Sequence, residues 1–176
     1  MEIAKAKFAI IHLPFFYLVL LLAGCAGYHL GPVNGTPAGA KTIEVAPFNN
    51  QTLQPRLGDA VTQALRERLQ TEGTYRLATR NPGDIVVTGV ITDYKREGMG
   101  FLSTDVTTPV NYRVSVTAHV VARERNTGKV LLDKNVKGYT LVQTGTDLAD
   151  AERQSVPLLA EDLAHNIGTL LTDGVW

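Results

Sequence analysis

Residues 112–123 read YRVSVTAHVVAR, a segment in which apolar and polar side chains alternate. Side chains two positions apart on a β-strand share a face, so this period predicts one core face and one face toward water or a partner. The core face is expected to hold Tyr112, Val114, Val116, Ala118, Val120 and Ala122. The other face is expected to hold Arg113, Ser115, Thr117, His119 and Arg123, with Val121 breaking the pattern.

Strands on both sides of this segment would complete a sheet. Asn126-Thr127-Gly128 predicts a tight hairpin turn, because glycine tolerates the positive φ that such turns need. The returning strand is then expected at about 129–141, and the preceding segment 85–94 is rich in β-formers. Residues 98–109 contain Gly98, Gly100 and Pro109 and are expected to form a long connection.

Two segments have the helical period. The first begins near Pro55 and should end at Gly73, and its apolar stripe is Leu57, Ala60, Val61, Ala64, Leu65 and Leu69. The second would be capped by Thr146-Asp147 or by Asp150 and would extend toward Thr172. Its stripe is Val156, Leu159, Ala160, Leu163, Ala164, Ile167, Leu170 and Leu171. Pro157 either kinks this helix or marks its true start.

Two shorter strands are expected at 42–48 and 75–79, with a polar loop at 49–54 and a turn at 81–84. The chain order is therefore strand, helix, several strands, helix. This order predicts an α+β fold, a two-layer sandwich in which a mostly antiparallel sheet of about four to five strands packs against two helices. The polar face of that sheet would be available for a ligand.

The N-terminal segment 1–24 has the features of a cleaved signal peptide. Lys5 and Lys7 precede an apolar run over 8–22, and Ala23-Gly24 supplies small residues for cleavage. A helix over 8–22 would extend only about 22 Å, whereas a bilayer core is about 30 Å thick. The alternative, a buried N-terminal helix, is disfavoured by Pro14 and by these flanks.

Cys25 is the single cysteine of the chain and directly follows the cleavage site. A buried free thiol is one interpretation. However, Leu22-Ala23-Gly24-Cys25 resembles the lipobox of bacterial lipoproteins, which implies covalent acyl chains on Cys25. Ala26 stands where lipoproteins retained in the inner membrane often carry Asp, so the resemblance implies the outer membrane. Residues 25–40, rich in Gly and Pro, then form a tether, and 41–176 form the domain.

Charge and motifs favour a non-enzymatic protein. The chain has 17 basic and 17 acidic residues, which argues against a nucleic-acid partner. Histidines occur only at His12, His29, His119 and His165, without the spacing of a metal site. The serines lie in no nucleophile elbow, and no phosphate-binding glycine loop is present. We therefore predict no catalytic residues, no metal and no cofactor apart from the acyl chains on Cys25.

Gly27-Tyr28-His29-Leu30, just after Cys25, resembles the start of the lipopolysaccharide-assembly lipoproteins of the LptE family. The similarity continues in the P-x-L-x-x-A-V helix opening, which here is Pro55, Leu57, Ala60 and Val61. The resemblance implies a non-catalytic outer-membrane protein that sits inside the LptD β-barrel and assists its assembly. It also implies lipopolysaccharide binding during transfer to the cell surface.

Two sets of residues are candidates for these contacts. Lys95, Arg96, Arg113 and Arg123 lie on or beside the polar strand face and could engage lipid A phosphates. The alternative is an ordinary strand surface, since Glu97, Glu124 and Asp133 are near in sequence. Met99, Phe101 and Leu102 form the second set, in a predicted loop that either contacts the barrel or folds back over the core.

A different periplasmic role is the competing interpretation. A strand followed by Pro47-Phe48-Asn49 and a helix, and then the strand GDIVVTGV at 83–90, also resembles lipoproteins that activate peptidoglycan synthases or build secretion pores. Such proteins share a small α/β scaffold, and a fold alone does not determine function. A lipid-anchored hydrolase would require a catalytic set that the sequence lacks.

Overall fold

The computed structural model describes residues 39–102, 105–143 and 148–173. These residues all belong to the unit Pro32–Trp176. The predicted signal peptide, Cys25 and most of the tether lie outside the described residues. No helix in the described part of the chain is long and apolar enough to cross a bilayer.

The described residues of the domain form six strands and two helices. The strands are β1 (Thr42–Val45), β2 (Asn49–Asn50), β3 (Arg76–Leu77), β4 (Ile85–Leu102), β5 (Asp105–Glu124) and β6 (Val130–Gln143). The helices are α1 (Leu57–Glu72) and α2 (Leu148–Thr172). Helix α1 ends where predicted, at Gly73 with φ 70°, whose N–H donates to the carbonyl of Leu69.

The sheet is mixed and six-stranded, with the order β3-β1-β4-β5-β6 and with β2 beside β4. Strands β4, β5 and β6 form an antiparallel meander, whereas β1 is parallel to both β3 and β4. The prediction of a mostly antiparallel sheet with four to five strands is therefore wrong in these two respects. Helix α1 connects the first strands to β3, and such a crossover makes parallel pairing possible.

Two loop predictions are also wrong. Asn49 and Asn50 in the predicted polar loop form the short strand β2, which is parallel to β4. The predicted connection 98–109 is instead the distal part of the β4–β5 hairpin. Gly98 and Pro109, which favour a connection in the sequence, fit against each other across this hairpin, because a Cβ on Gly98 would lie 2.6 Å from Pro109 Cγ.

The core lies between the sheet and the two helices. Alternation along β5 is confirmed, since the side chains of Val114, Val116, Ala118, Val120 and Ala122 are fully buried. Leu65 of α1 and Leu163 and Ile167 of α2 are fully buried in the same hydrophobic cluster. Pro157 lies inside α2, so it does not mark the start of the helix, and Asp150 lies in the first turn rather than at a cap. Thr146 and Asp147 lie outside the described residues.

Candidate functional site

The face of the sheet that points away from α1 and α2 is called the open face. In β5 it carries Arg113, Ser115, Thr117, His119 and Arg123, each exposed or half-buried, as the alternation predicts. Among the described residues no helix packs on this face. Side chains of the strands on this face are therefore accessible to a partner or a ligand.

An apolar and cationic patch lies toward the end of the open face at which β4 connects to β5. Tyr139 is 57% exposed and Leu141 is 61% exposed, and the two side chains are neighbours on one face of β6 because they are two residues apart. Arg113 pairs with Leu141 across the strands, and its guanidinium carbon lies 5.5 Å from the centre of the Tyr139 ring. We call Arg113, Tyr139 and Leu141 the Tyr139 patch.

Sequence reasoning missed Tyr139 and Leu141. The signal that could have found them is the period of two in the returning strand, where Lys137, Tyr139 and Leu141 alternate with buried Val136, Gly138 and Val142 or half-buried Thr140. Because Arg113 was already assigned to the polar face, pairing the strands would have placed these residues beside it.

Lys95 lies on the open face one step from Arg113. Lys95 of β4 pairs with Ser115 of β5, and Glu97, two residues further along β4, pairs with Arg113. Its Nζ lies 2.7 Å from Asp93 Oδ2, and this hydrogen bond with its charge raises the pKa of Lys95. Lys95 and Arg113 are thus two cations on one surface, although Asp93 and Glu97 compensate part of their charge.

Arg96 lies on the other side of the sheet, because adjacent strand residues point to opposite faces. It is paired with Val114, a core residue. Its Nη1 forms an ion pair with Glu152 of α2, which raises the pKa of Arg96, and its guanidinium lies over the Tyr112 ring at 5.6 Å. Arg96 therefore joins the helix to the sheet, and its placement beside Lys95 on the polar face is wrong.

Arg123 is on the open face but far from the other cations. It lies ten residues from Arg113 along β5, which corresponds to about 33 Å. The four predicted cations therefore occupy three separate places, and only Lys95 and Arg113 come together.

The predicted loop residues Met99, Phe101 and Leu102 belong to strand β4. Met99 is opposite Asn111 and half-buried, Phe101 is opposite Pro109 and Leu102 is opposite Asp105. The position of the Phe101 and Leu102 side chains lies outside the description. The Gly-flanked loop is thus a hairpin tip, which still projects from the end of the sheet nearest the Tyr139 patch.

The histidines of the described segments do not form a metal site. His119 Nδ1 lies 3.1 Å from Asn135 Oδ1, and its Nε2 lies 3.4 Å from Asp133 Oδ1. His165 is exposed on α2. Within the described ranges no three His, Cys, Asp or Glu side chains converge on a common point.

Comparison with solved structures shows the same fold in several bacterial proteins. The hypothetical protein CT253 of Chlamydia trachomatis is 11% identical with a TM-score of 0.55, covering 77% of this chain and 96% of its own. A minor lipoprotein of Acinetobacter baumannii is 14% identical with a TM-score of 0.50, covering 75% and 92% respectively. Protein XCC0632 of Xanthomonas campestris is 13% identical with a TM-score of 0.51, covering 82% and 92%.

At these identities the similarity concerns the fold alone, and no curated protein sequence matches the chain significantly. The family comparison is more specific. The model of the lipopolysaccharide-assembly family LptE matches residues 40–171, which include all six strands and nearly all of α2. This match extends over well more than half of the sequence and agrees with the motifs at Pro55 and Val61. The chain therefore belongs to the LptE family of lipopolysaccharide-assembly lipoproteins.

Proposed function

We propose that the protein is an outer-membrane lipoprotein that binds a large LptD-like β-barrel, helps this barrel to assemble and assists lipopolysaccharide transport to the cell surface. The observation that carries the proposal is the open face with its exposed Tyr139 patch, in a chain that belongs to the LptE family. No catalytic step is assigned to the chain. Its role is to hold a partner and a ligand in place.

The Tyr139 patch is the surface that we assign to the barrel. Two exposed apolar side chains beside an arginine have the composition of an interface centre, in which aromatic residues and Arg are enriched. The hairpin end with Met99, Phe101 and Leu102 lies beside this patch along the β4–β5 pairing, and we assign it to the same contact. Contact through the tip and the patch would leave α1 and α2 free to stabilise the sheet.

Lys95 and Arg113 are the residues that we assign to lipopolysaccharide. Lipid A carries phosphate groups, and guanidinium and ammonium groups form charge-assisted hydrogen bonds with phosphate oxygens. Both side chains lie on the open face within one cross-strand step, so one phosphate could contact both. Arg96 and Arg123 are excluded from this pair by their positions.

Cys25 is the proposed anchor, with acyl chains holding the protein at the outer membrane and the tether up to residue 40 spanning to the domain. We expect wild-type protein to incorporate an alkyne analogue of palmitate in growing cells and Cys25→Ser to incorporate none. Two or more acyl chains are needed for stable anchoring, so this variant should also lose its membrane attachment wherever the barrel is absent. Labelled Cys25→Ser protein, or unlabelled wild type, would contradict the anchor.

The barrel proposal is tested by pulling the tagged, lipidated protein out of its own outer membrane in mild detergent. We expect a large β-barrel in stoichiometric amount, identified by mass spectrometry. The double variant Tyr139→Asp/Leu141→Asp should recover at least about tenfold less barrel, because burying each apolar side chain is worth about 1.5–3 kcal/mol. Both residues are exposed, so the substitutions should leave the fold intact.

Leu158→Asp is the matched control, since Leu158 is 55% exposed on helix α2, away from the open face. Lipopolysaccharide in the same eluates gives a second readout, which Lys95→Glu, outside the Tyr139 patch, should lower and Arg123→Glu should leave unchanged. Equal barrel recovery from the control and the double variant would refute the assigned surface. Recovery of a peptidoglycan synthase or of self-assembled rings in place of a barrel would refute the function and favour the adaptor alternative.

A further inference from the structure

A cleft of about 660 Å³ opens at the opposite end of the strands from the Tyr139 patch. Its walls are residues 44–47 at the end of β1, residues 77–82 from the last residue of β3 onward, Arg66 from α1 and Arg125 from the turn after β5. This volume lies within the range of small-molecule sites. Neither the family match nor the open face accounts for it.

The charges in this cleft are unbalanced. Glu44 is the single carboxylate among the lining residues, and it accepts hydrogen bonds from Arg125 Nη2 at 2.5 Å and from the Gly83 N–H at 3.1 Å. Arg125 is further fixed by donation from Nε to the Gly83 carbonyl at 2.9 Å. Glu44 and Arg125 therefore neutralise each other and form one wall of the cleft.

Arg66 and Arg80 remain without a carboxylate partner in the described part of the chain. Arg66 Nη2 donates to the Val45 carbonyl at 2.7 Å, which holds the guanidinium at the cleft while its other N–H groups stay available. Arg80 is exposed, and it forms no ion pair or side-chain hydrogen bond with any described residue. Asp84, the next acidic residue along the chain, accepts hydrogen bonds from the N–H and the hydroxyl of Thr42. These two bonds lower the pKa of Asp84.

We propose that this cleft, which we call the Arg66 cleft, binds the phosphate group of a phosphomonoester. Two guanidinium groups match a dianion, and the planar donor fork of arginine suits paired hydrogen bonds to phosphate oxygens. Pro47 and Pro82 give the cleft apolar walls beside the cations, so the ligand carries its phosphate on a small organic body. The phosphate comes either from a soluble compound or from a lipid headgroup at the membrane surface.

The test uses full-length protein in an uncharged detergent at low salt, with glycerol phosphate as the soluble probe and phosphatidic acid in phosphatidylcholine vesicles as the lipid probe. We expect saturable binding of at least one probe, measured by titration calorimetry or by co-flotation. Arg66→Gln/Arg80→Gln should weaken binding at least about tenfold, because it removes the charge-assisted hydrogen bonds to the phosphate oxygens. Binding of the soluble probe identifies a free phosphate site, and binding of vesicles alone identifies a headgroup site.

Arg56→Gln/Arg123→Gln is the matched control, because it removes the same charge from two exposed arginines outside the cleft. The single variant Arg80→Gln separates loss of phosphate binding from loss of the fold, since Arg80 makes no described contact that the fold needs. Absence of saturable binding to both probes, or equal loss in the control, would overturn the proposal. The inference is independent of the proposed function, since barrel recovery and phosphate binding are measured separately.

Discussion

Gly138→Val is expected to destabilise the domain by about 3 kcal/mol, the upper end of the usual cost of overpacking. A Cβ on Gly138 would lie 2.7 Å from the backbone nitrogen of Leu163 and 2.8 Å from its Cα. The obstacle is helix backbone, which cannot move aside as a flexible side chain can. Helix α2 would have to leave the sheet, and α2 supplies a large part of the core.

Two hydrogen bonds on either side of Gly138 make this displacement more costly. The Tyr139 N–H donates to Asp162 Oδ2, and Asn166 Nδ2 donates to the Lys137 carbonyl, each at 2.9 Å. These α2 side chains bind backbone groups at the outer edge of β6, where another strand could otherwise pair. A helix pushed away from Gly138 would lose both bonds and expose this edge.

Urea unfolding followed by circular dichroism measures the effect, and Gly168→Ala is the control. A Cβ on Gly168 would meet the Arg68 Cγ at 3.1 Å, the stem of a flexible side chain. Alanine is also the better helix former, by up to about 1 kcal/mol, so this variant should be neutral or more stable. An unchanged midpoint for Gly138→Val would show that α2 does not contact β6 as closely as described.

The sequence predicts features whose cause is local. Alternation in β5 and the stripe of α1 are determined by which side chains face the core, and both are confirmed. Parallel pairing of β1 with β3 and β4 is not local, because it depends on strands that are distant in sequence. The hairpin beyond Gly98 was missed since Gly98 and Pro109 have turn-like preferences singly but fit each other as a pair.

The candidate site was predicted in part for the same reason. Arg113 was assigned to its face by a regular period of two, whereas β4 contains a register irregularity between Ile91 and Asp93. This irregularity moves the alternation by one residue. The pattern of buried residues before Ile91 therefore does not predict which face carries Lys95 or Arg96. The Tyr139 patch spans β5 and β6, and single-strand reasoning does not reveal such a cross-strand cluster.

The Pro-Phe-Asn and GDIVVTGV motifs, which left the adaptor alternative open, meet inside the core. Phe48 is 5% exposed, and its N–H donates to the buried Thr62 hydroxyl. Its ring lies directly over Gly89, where a Cβ would be 2.1 Å from Phe48 Cε1. The shared motifs are therefore explained by core packing of this scaffold, and they do not indicate which partner the protein binds.

This packing predicts a strongly non-additive pair of substitutions. Phe48→Ala should cost about 3–5 kcal/mol of unfolding free energy by leaving a cavity, and Gly89→Ala should cost about 2 kcal/mol by displacing the ring. Together they should cost at least about 1 kcal/mol less than their sum, because the new methyl group enters the space that the ring vacated.

Phe48→Ala combined with Gly138→Ala is the reference for additivity, since Gly138 lies on β6, two strands away from β4, and no described contact links it to Phe48. That combination should cost the sum of its two single substitutions, within about 0.5 kcal/mol. Chemical denaturation of all variants under one set of conditions gives both cycles. If the two cycles gave equal coupling energies, the position of the Phe48 ring would not depend on the absence of a side chain at Gly89. The packing explanation of the shared motifs would then be wrong.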